Sequence, residues 1–298
     1  MGIPSYPASR PLELGDKPLL DGLFGELQPR ISELTFANLY LFRTAHAYGL
    51  SQIDDVPVVS GQGYDGTPYA LPPLSPAPLA VAERLLDAGA TIYGADERLK
   101  AELEQIAGLE ITEDRDNFDY LYLRDELAEL PGNRFHKKKN RVNYFCRRHD
   151  FVVEEFSSRH LDGCQRLLDE WARVRAGETE GSMAQEIAAT AEALQLMAEL
   201  QLSGVVVLVG GEVKAFALGE RLNRTTAVCH FEKADPFLEG LSQLINREFS
   251  RLLFTDCTLV NREQDLGETG LREAKLSYHP VEIVKKFRLN LAISRLND

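Results

Sequence analysis

The sequence predicts an α/β (α+β) protein of two domains, each a mixed, mostly antiparallel sheet flanked by helices. Three observations carry this reading. Short apolar runs of strand length alternate along the whole chain with longer segments of helical period. At 298 residues the chain is longer than a single core usually serves. Pro131-Gly132 interrupts it between two such stretches. The expected division is a loose arm over residues 1–14, a first domain over 15–131 and a second over 132–298.

The elements follow in order. The arm holds Pro4, Pro7 and Pro11 and shows little periodicity. Helices are expected over 18–27 and 32–48, with Ser32 as N-cap of the second. Residues 56–61 and 68–74 read as a hairpin around Gly63-Tyr64-Asp65-Gly66. A helix over 76–88, a strand over 91–94 and a helix over 97–107 come next. Residues 117–123 alternate aromatic or apolar with polar side chains, which marks a strand.

The second half opens with a basic helix over 134–148 and a strand over 151–156, followed by helices over 159–175 and 182–202. Residues 205–209 and 213–218 flank Gly210-Gly211, a pair suited to a two-residue hairpin turn, and 225–233 extends the meander. Leu241, Leu244, Ile245, Phe249, Leu252 and Leu253 give a helix over 238–254 its apolar face. A strand over 257–261, a helix over 270–278 and a last strand over 282–291 complete it. The resulting β-α-α-β-β-β-α-β-α-β order resembles the GNAT acyltransferase fold, and the first half offers a looser version. Two tandem GNAT-like domains are therefore expected.

Hydrophobic residues at 44% and charged residues at 27% describe a soluble globular chain. No apolar run approaches the ~20 residues of a membrane span, so no integral membrane segment is expected. Residues 1–10 lack the pattern of a signal peptide. Cys146, Cys164, Cys229 and Cys257 lie far apart, as buried thiols of a cytoplasmic protein do. The six histidines show no metal-ligand spacing. A net charge of −13 disfavours broad nucleic-acid binding, because phosphate contacts dominate that affinity. Yet Arg134 to His149 holds seven Lys or Arg residues and no acid.

Three constellations carry the candidate chemistry. On the basic helix Phe135, Val142 and Phe145 share one face, while Lys137, Arg141 and Arg148 share another. A helix anchored on one side and cationic on the other suits a phosphate-rich partner, with Lys137, Lys138, Asn140 and Arg141 as binding residues; a solvated face balancing acidic neighbours is the alternative. Glu232, one strand repeat from His230, suits a carboxylate that accepts a proton from an amine, and Asp235 before Pro236 is either a binding residue or a turn cap. Asn261, Glu263, Asp265 and Gly267 follow a strand end, where open sheets place ligands. Arg272 and Lys275 lie three apart on the next helix, positioned for a phosphate or a developing oxyanion, or for pairing with Glu263, Asp265 or Glu268. Tyr278 is a candidate proton donor to a leaving group.

CoA-dependent GNAT enzymes cradle pyrophosphate on a glycine-rich loop at a helix start. The corresponding segment, Asp235-Pro-Phe-Leu-Glu-Gly-Leu-Ser242, has one glycine and an acidic Glu239. Taken together, Ser32-Glu-Leu-Thr-Phe-Ala-Asn38, Asp114-Arg-Asp-Asn-Phe-Asp-Tyr120, His136-Lys-Lys-Lys-Asn140, Phe231-Glu-Lys-Ala-Asp235 and the run from Asn261 to Pro280 resemble a bacterial family related to the C-terminal domain of phosphatidylglycerol lysyltransferase. Such domains, like the Fem-type aminoacyltransferases, are tandem GNAT-like folds that use aminoacyl-tRNA in place of CoA. The resemblance implies tRNA binding through residues 134–148, and a small-molecule or peptide amine as acceptor. An acyl-CoA N-acetyltransferase with a degenerate phosphate loop, and a non-catalytic nucleotide, RNA or protein binding module, are the competing expectations.

Overall fold

The computed structural model describes residues 2–175 and 181–292. In chain order its strands are β1 (Arg10–Pro11), β2 (Gly49–Ile53), β3 (Val56–Gln62), β4 (Pro68–Ala70), β5 (Ile92–Ala95), β6 (Leu109–Glu113), β7 (Asp119–Leu123), β8 (Phe151–Glu155), β9 (Ser203–Val209), β10 (Glu212–Arg221), β11 (Thr226–Ala234), β12 (Leu259–Asn261), β13 (Glu282–Val284) and β14 (Phe287–Leu291). They make two seven-stranded sheets, β1-β2-β3-β4-β5-β14-β6 and β13-β7-β12-β11-β10-β9-β8. Unit 1 takes the chain up to Asp119, Gln264–Thr269 and the stretch from Ile283 onward; unit 2 takes Tyr120–Glu263 and Gly270–Glu282.

Both sheets follow one plan. Four strands run antiparallel in succession, β1 to β4 in unit 1 and β8 to β11 in unit 2. The fourth then steps parallel to the fifth, Ala70 opposite Ile92 and Thr226–Val228 opposite Leu259–Asn261. The next place is filled antiparallel by a strand from elsewhere in the chain: β14 in unit 1 and β7 in unit 2. Mixed, mostly antiparallel sheets flanked by helices are the arrangement expected. Pro131-Gly132 falls inside unit 2 and not between the units, because β7, which precedes it, pairs with β12.

Local physics explains where the elements depart from expectation. The 1–14 arm is fastened to sheet 1 through β1 and through Tyr6 N–H to Gln52 O and Gln52 N–H to Pro4 O, both 2.9 Å. Ser32 caps no helix: its N–H and hydroxyl are held by Asp119 at 2.7 and 3.0 Å, and the short helix Phe36–Leu41 starts instead on Thr35, which accepts from Asn38 N–H. The expected strand over 282–291 is two strands in different sheets, β13 and β14. The helix expected over 182–202 breaks after Gln195 and resumes at Met197.

Each unit buries its own core. Val58, Leu85, Ile92, Phe287 and Leu289 close unit 1 between its sheet and the helix Leu79–Asp87. In unit 2 Val205, Val207 and Leu218 of the sheet and Leu244, Ile245 and Phe249 of the helix Leu241–Leu252 are buried. Every such side chain contributes ~1.5–3 kcal/mol relative to exposure. Phe135, Val142 and Phe145 are fully buried, so the helix His136–Cys146 is anchored by the face its spacing indicated.

Candidate functional site

The chemistry-bearing residues of unit 2 gather where its parallel strands diverge. β11 and β12 are paired only as far as Val228 and Asn261; beyond that β11 continues along β10 to Ala234 while β12 ends. Open sheets leave room for ligands at such carboxyl ends. Across the opening Glu232 Oε2 accepts from Arg262 Nη2 at 3.2 Å and from Asn246 Nδ2 at 3.0 Å. The Arg262 guanidinium lies 5.0 Å from the centre of the Tyr278 ring and 5.8 Å from that of Tyr122. Burial opposes its charge, but the Glu232 carboxylate and the phenols around it hold its pKa above the usual range. Burial likewise raises the Tyr278 and Tyr122 phenols, so both stay protonated at neutral pH.

Lys138 joins this group. Its neighbours Lys137 and Lys139 are exposed, whereas Lys138 is half-buried with Nζ 4.1 Å from the Tyr278 ring centre. Burial and the Arg262 charge lower its pKa to about 8, with Glu232 acting in the opposite sense. Of the residues expected to bind phosphate, Lys138 therefore faces inward, while Lys137, Asn140 and Arg141 remain on the outer surface. Asn140 bonds His136 at 2.9 Å and Arg141 pairs with Glu239. Among the described residues Lys137, Lys139 and Arg147 have no ion pair.

The helix start after β11 is packed closely against the basic helix. Gly240 N-caps the helix Leu241–Leu252 with φ +92°, and a Cβ there would fall 2.1 Å from the Arg141 carbonyl oxygen. The basic helix thus packs its backbone directly on that glycine.

Other expected site residues have different work. Lys275 is buried, and its ammonium donates to the Arg262 carbonyl at 2.5 Å. Its own carbonyl accepts from Tyr122 at 2.8 Å. In this arrangement Lys275 supports the backbone of Arg262, in place of the outward, oxyanion-facing position its spacing with Arg272 suggested. Arg272 is half-buried on the same helix. Asp235 takes the turn-cap role, accepting from Phe237 N–H at 2.9 Å. Asn261 is buried and accepts from Glu263 N–H at 2.7 Å. Glu263 bonds His230 Nδ1 at 2.7 Å, and Glu220 bonds the other ring nitrogen at 3.0 Å. Despite the cost of burial, those two carboxylates raise the His230 pKa to about 10.

Asp265 and Gly267 belong to unit 1, so the Asn261–Gly267 motif is divided between the units. Asp265 pairs with Arg115 at 3.1 Å, and a Cβ on Gly267 would fall 2.9 Å from Asp116. Unit 1 also holds a polar centre that sequence reasoning missed. Lys286, wholly buried, donates to Glu33 at 2.6 and 2.7 Å and to Asp119 at 2.8 Å, and Tyr93 donates to Glu33 at 2.6 Å. Arg262 was missed as well, although it stands inside the run from Asn261 to Pro280; its signal is a cation one residue past a strand end.

Comparison with known proteins follows the same lines. Residues 24–290 match the family described as "Phosphatidylglycerol lysyltransferase, C-terminal". The crystal structure of a conserved protein of unknown function from Bacteroides thetaiotaomicron is 30% identical, with 95% of this chain and 99% of that one covered and a TM-score of 0.88. The structure of L-PGS from Bacillus licheniformis is 13% identical, with 99% of this chain and 96% of that one covered and a TM-score of 0.65, a likeness of fold. An uncharacterized protein of Mycoplasmoides gallisepticum is 21% identical over 169 residues, 57% of this chain. The chain spans about half the length of that relative, 54%. Among the described residues no helix is long and apolar enough to cross a membrane.

Proposed function

The chain belongs to the phosphatidylglycerol lysyltransferase C-terminal family, and on that premise we propose that this acyltransferase-like protein moves an aminoacyl group from charged tRNA to an amine or hydroxyl acceptor. The observation that carries the choice of donor is the Arg141 carbonyl seated on Gly240. A CoA pyrophosphate needs room and free N–H groups at such a helix start; here the Arg141 backbone packs against Gly240, and Glu239, paired with Arg141, stands beside it. The exposed cations of this helix and its C-terminal end, of which Lys137, Lys139, Arg147 and Arg148 have no ion pair among the described residues, supply the complementary surface for a polynucleotide backbone.

In this reading the donor ester carbonyl lies near Arg262, whose guanidinium stabilises the oxyanion of the tetrahedral intermediate. Glu232 orients both Arg262 and the incoming amine. Tyr278 stays a phenol and so offers a hydrogen bond to the leaving ribose oxygen. A soluble peptide, an amino sugar or a small amine serves as acceptor. A cytoplasmic location accords with that donor.

Parallel titrations against bulk tRNA and acetyl-CoA at two salt concentrations test the donor. Salt-sensitive tRNA binding without CoA binding is the expected result. Saturable CoA binding without tRNA binding would overturn it in favour of an N-acetyltransferase.

A further inference from the structure

We infer that Lys138 is the proton acceptor of this site, taking protons from the acceptor's amino group and delivering one to the leaving oxygen. The inference rests on the aminoacyl-transfer reading and extends it. It begins from placement. Lys138 turns away from the exposed cations on either side of it and lies half-buried against the Tyr278 ring, which also carries Arg262. Among the described residues it has no ion pair. The one carboxylate that faces it, Glu232, is engaged by Arg262 and Asn246.

The groups around Lys138 are Glu232 on β11, Arg262 beyond β12, Tyr278 after the helix Thr269–Leu276, and Lys137 and Lys139 on its own helix. Burial together with the Arg262 guanidinium, against the single carboxylate of Glu232, favours the neutral amine. The lowered pKa of about 8 agrees with this placement. A base is most effective when its pKa is near the working pH, and neither Arg262 nor Tyr278 meets that condition. Glu232 already accepts two hydrogen bonds on the same oxygen, which leaves it an orienting group.

The step balances. The acceptor R–NH3+ gives its proton to the neutral Nζ of Lys138. The freed amine attacks the ester carbonyl, a C–N bond forms, and the C–O bond to the ribose breaks. Lys138 sheds that first proton to solvent, takes the surplus N–H proton from the cationic nitrogen of the tetrahedral intermediate and passes it to the ribose oxygen as it leaves. Lys138 thus ends neutral, and one proton is released to solvent for each amide formed. With a hydroxyl acceptor only one transfer is needed: its O–H proton passes through Lys138 to the ribose oxygen and no proton is released.

Two measurements on the full chain decide the matter. The first is trace acetylation with acetic anhydride across pH 6 to 11, read by mass spectrometry at each lysine. Lys138 is expected to gain reactivity with a midpoint of about 8, against the ordinary lysine value of ~10.4. A Lys138 midpoint with the exposed lysines overturns the inference.

The second is transfer from charged bulk tRNA to a lysine-containing peptide or glucosamine, as a function of pH. Lys138→Met is expected to lower kcat by ~100-fold or more and to remove the rise of rate with pH. Lys138→Arg, which keeps the cation over Tyr278 but cannot lose its proton, is expected to fail equally. Restoration by arginine would indicate a packing role and overturn the inference, as would a full rate in Lys138→Met. Absence of transfer by the wild type would overturn the function reading and this role together; transfer with an unchanged pH profile in Lys138→Met overturns this role alone.

Discussion

The two units share a sheet plan, and the closed buried network of unit 1 contrasts with the half-buried cluster where the strands of unit 2 diverge. In unit 1 the ammonium of Lys286 is wholly buried and meets two carboxylates, with Tyr93 and Ser32 satisfying further oxygens. In unit 2 the charges at the diverging parallel strands are half-buried and shared, one carboxylate serving Arg262 while Lys138 goes unpaired among the described residues. A closed, mutually satisfied network fixes a fold. An under-compensated one holds protons and guanidinium donors ready for a ligand. On the proposed function, the first cluster serves the fold and the second the chemistry.

Breaking the closed network gives the largest expected effect on stability. Lys286→Met leaves Glu33 and Asp119 buried beside one another without a cation, and unfolding free energy is expected to fall by ~3–5 kcal/mol in urea denaturation. The same experiment on Arg262→Met, in the half-buried cluster, is expected to show a much smaller loss of stability, with transfer reduced by ~100-fold, as for other oxyanion donors. Equal destabilisation by the two substitutions would erase the comparison.

Gly240→Ala sharpens the donor argument. Its Cβ would meet the Arg141 carbonyl at 2.1 Å, and φ +92° strains any side chain. A loss of ~1–3 kcal/mol is expected from the strain alone, measured by thermal or urea unfolding. Tolerance of alanine would mean that the helix His136–Cys146 is not held on that glycine.

His230 supplies a pH signature confined to unit 2. Its pKa rises from 6.5 to about 10 on folding, so the imidazolium contributes its stability fully below 6.5 and loses it as pH rises through about 10. Unfolding free energy is expected to decline across that window and to flatten in His230→Gln, read by denaturation at pH 6, 8 and 10. The smallest effect is electrostatic. Replacing Lys137, Lys139 or Arg147 singly by glutamine is expected to reduce the salt slope of tRNA binding by ~0.7–0.9 for each phosphate no longer neutralised.

Much of the scaffold is legible in the sequence because periodicity encodes burial. Phe135, Val142 and Phe145 repeat at helical spacing and are buried; Gly210-Gly211 marks its hairpin with φ of 60° and 84°. The exchange of β7 and β14 between sheets is not legible, since alternation tells that a strand is half-buried but not which sheet accepts it. Leu109–Glu113 is a partly exposed strand of a few residues among charges, and its short pattern does not stand out. Glu232 is legible from its strand-end position. Its partner Arg262 lies 30 residues on, and no local pattern reports a pair at that separation. Lys286 stands beside exposed Lys285 and reads as a solvated cation until the fold closes two carboxylates around it.

The most direct test of aminoacyl transfer at Arg262 is an assay with bulk tRNA charged with labelled amino acids, a mixture of peptide and amino-sugar amines, and the wild-type or Arg262→Met protein. Formation of an alkali-stable amide distinguishes transfer from hydrolysis of the ester. Label is expected in amide with the wild type, with near-complete loss in Arg262→Met. Amide formation of equal rate in both proteins, or acyl transfer from acetyl-CoA in place of charged tRNA, would contradict it.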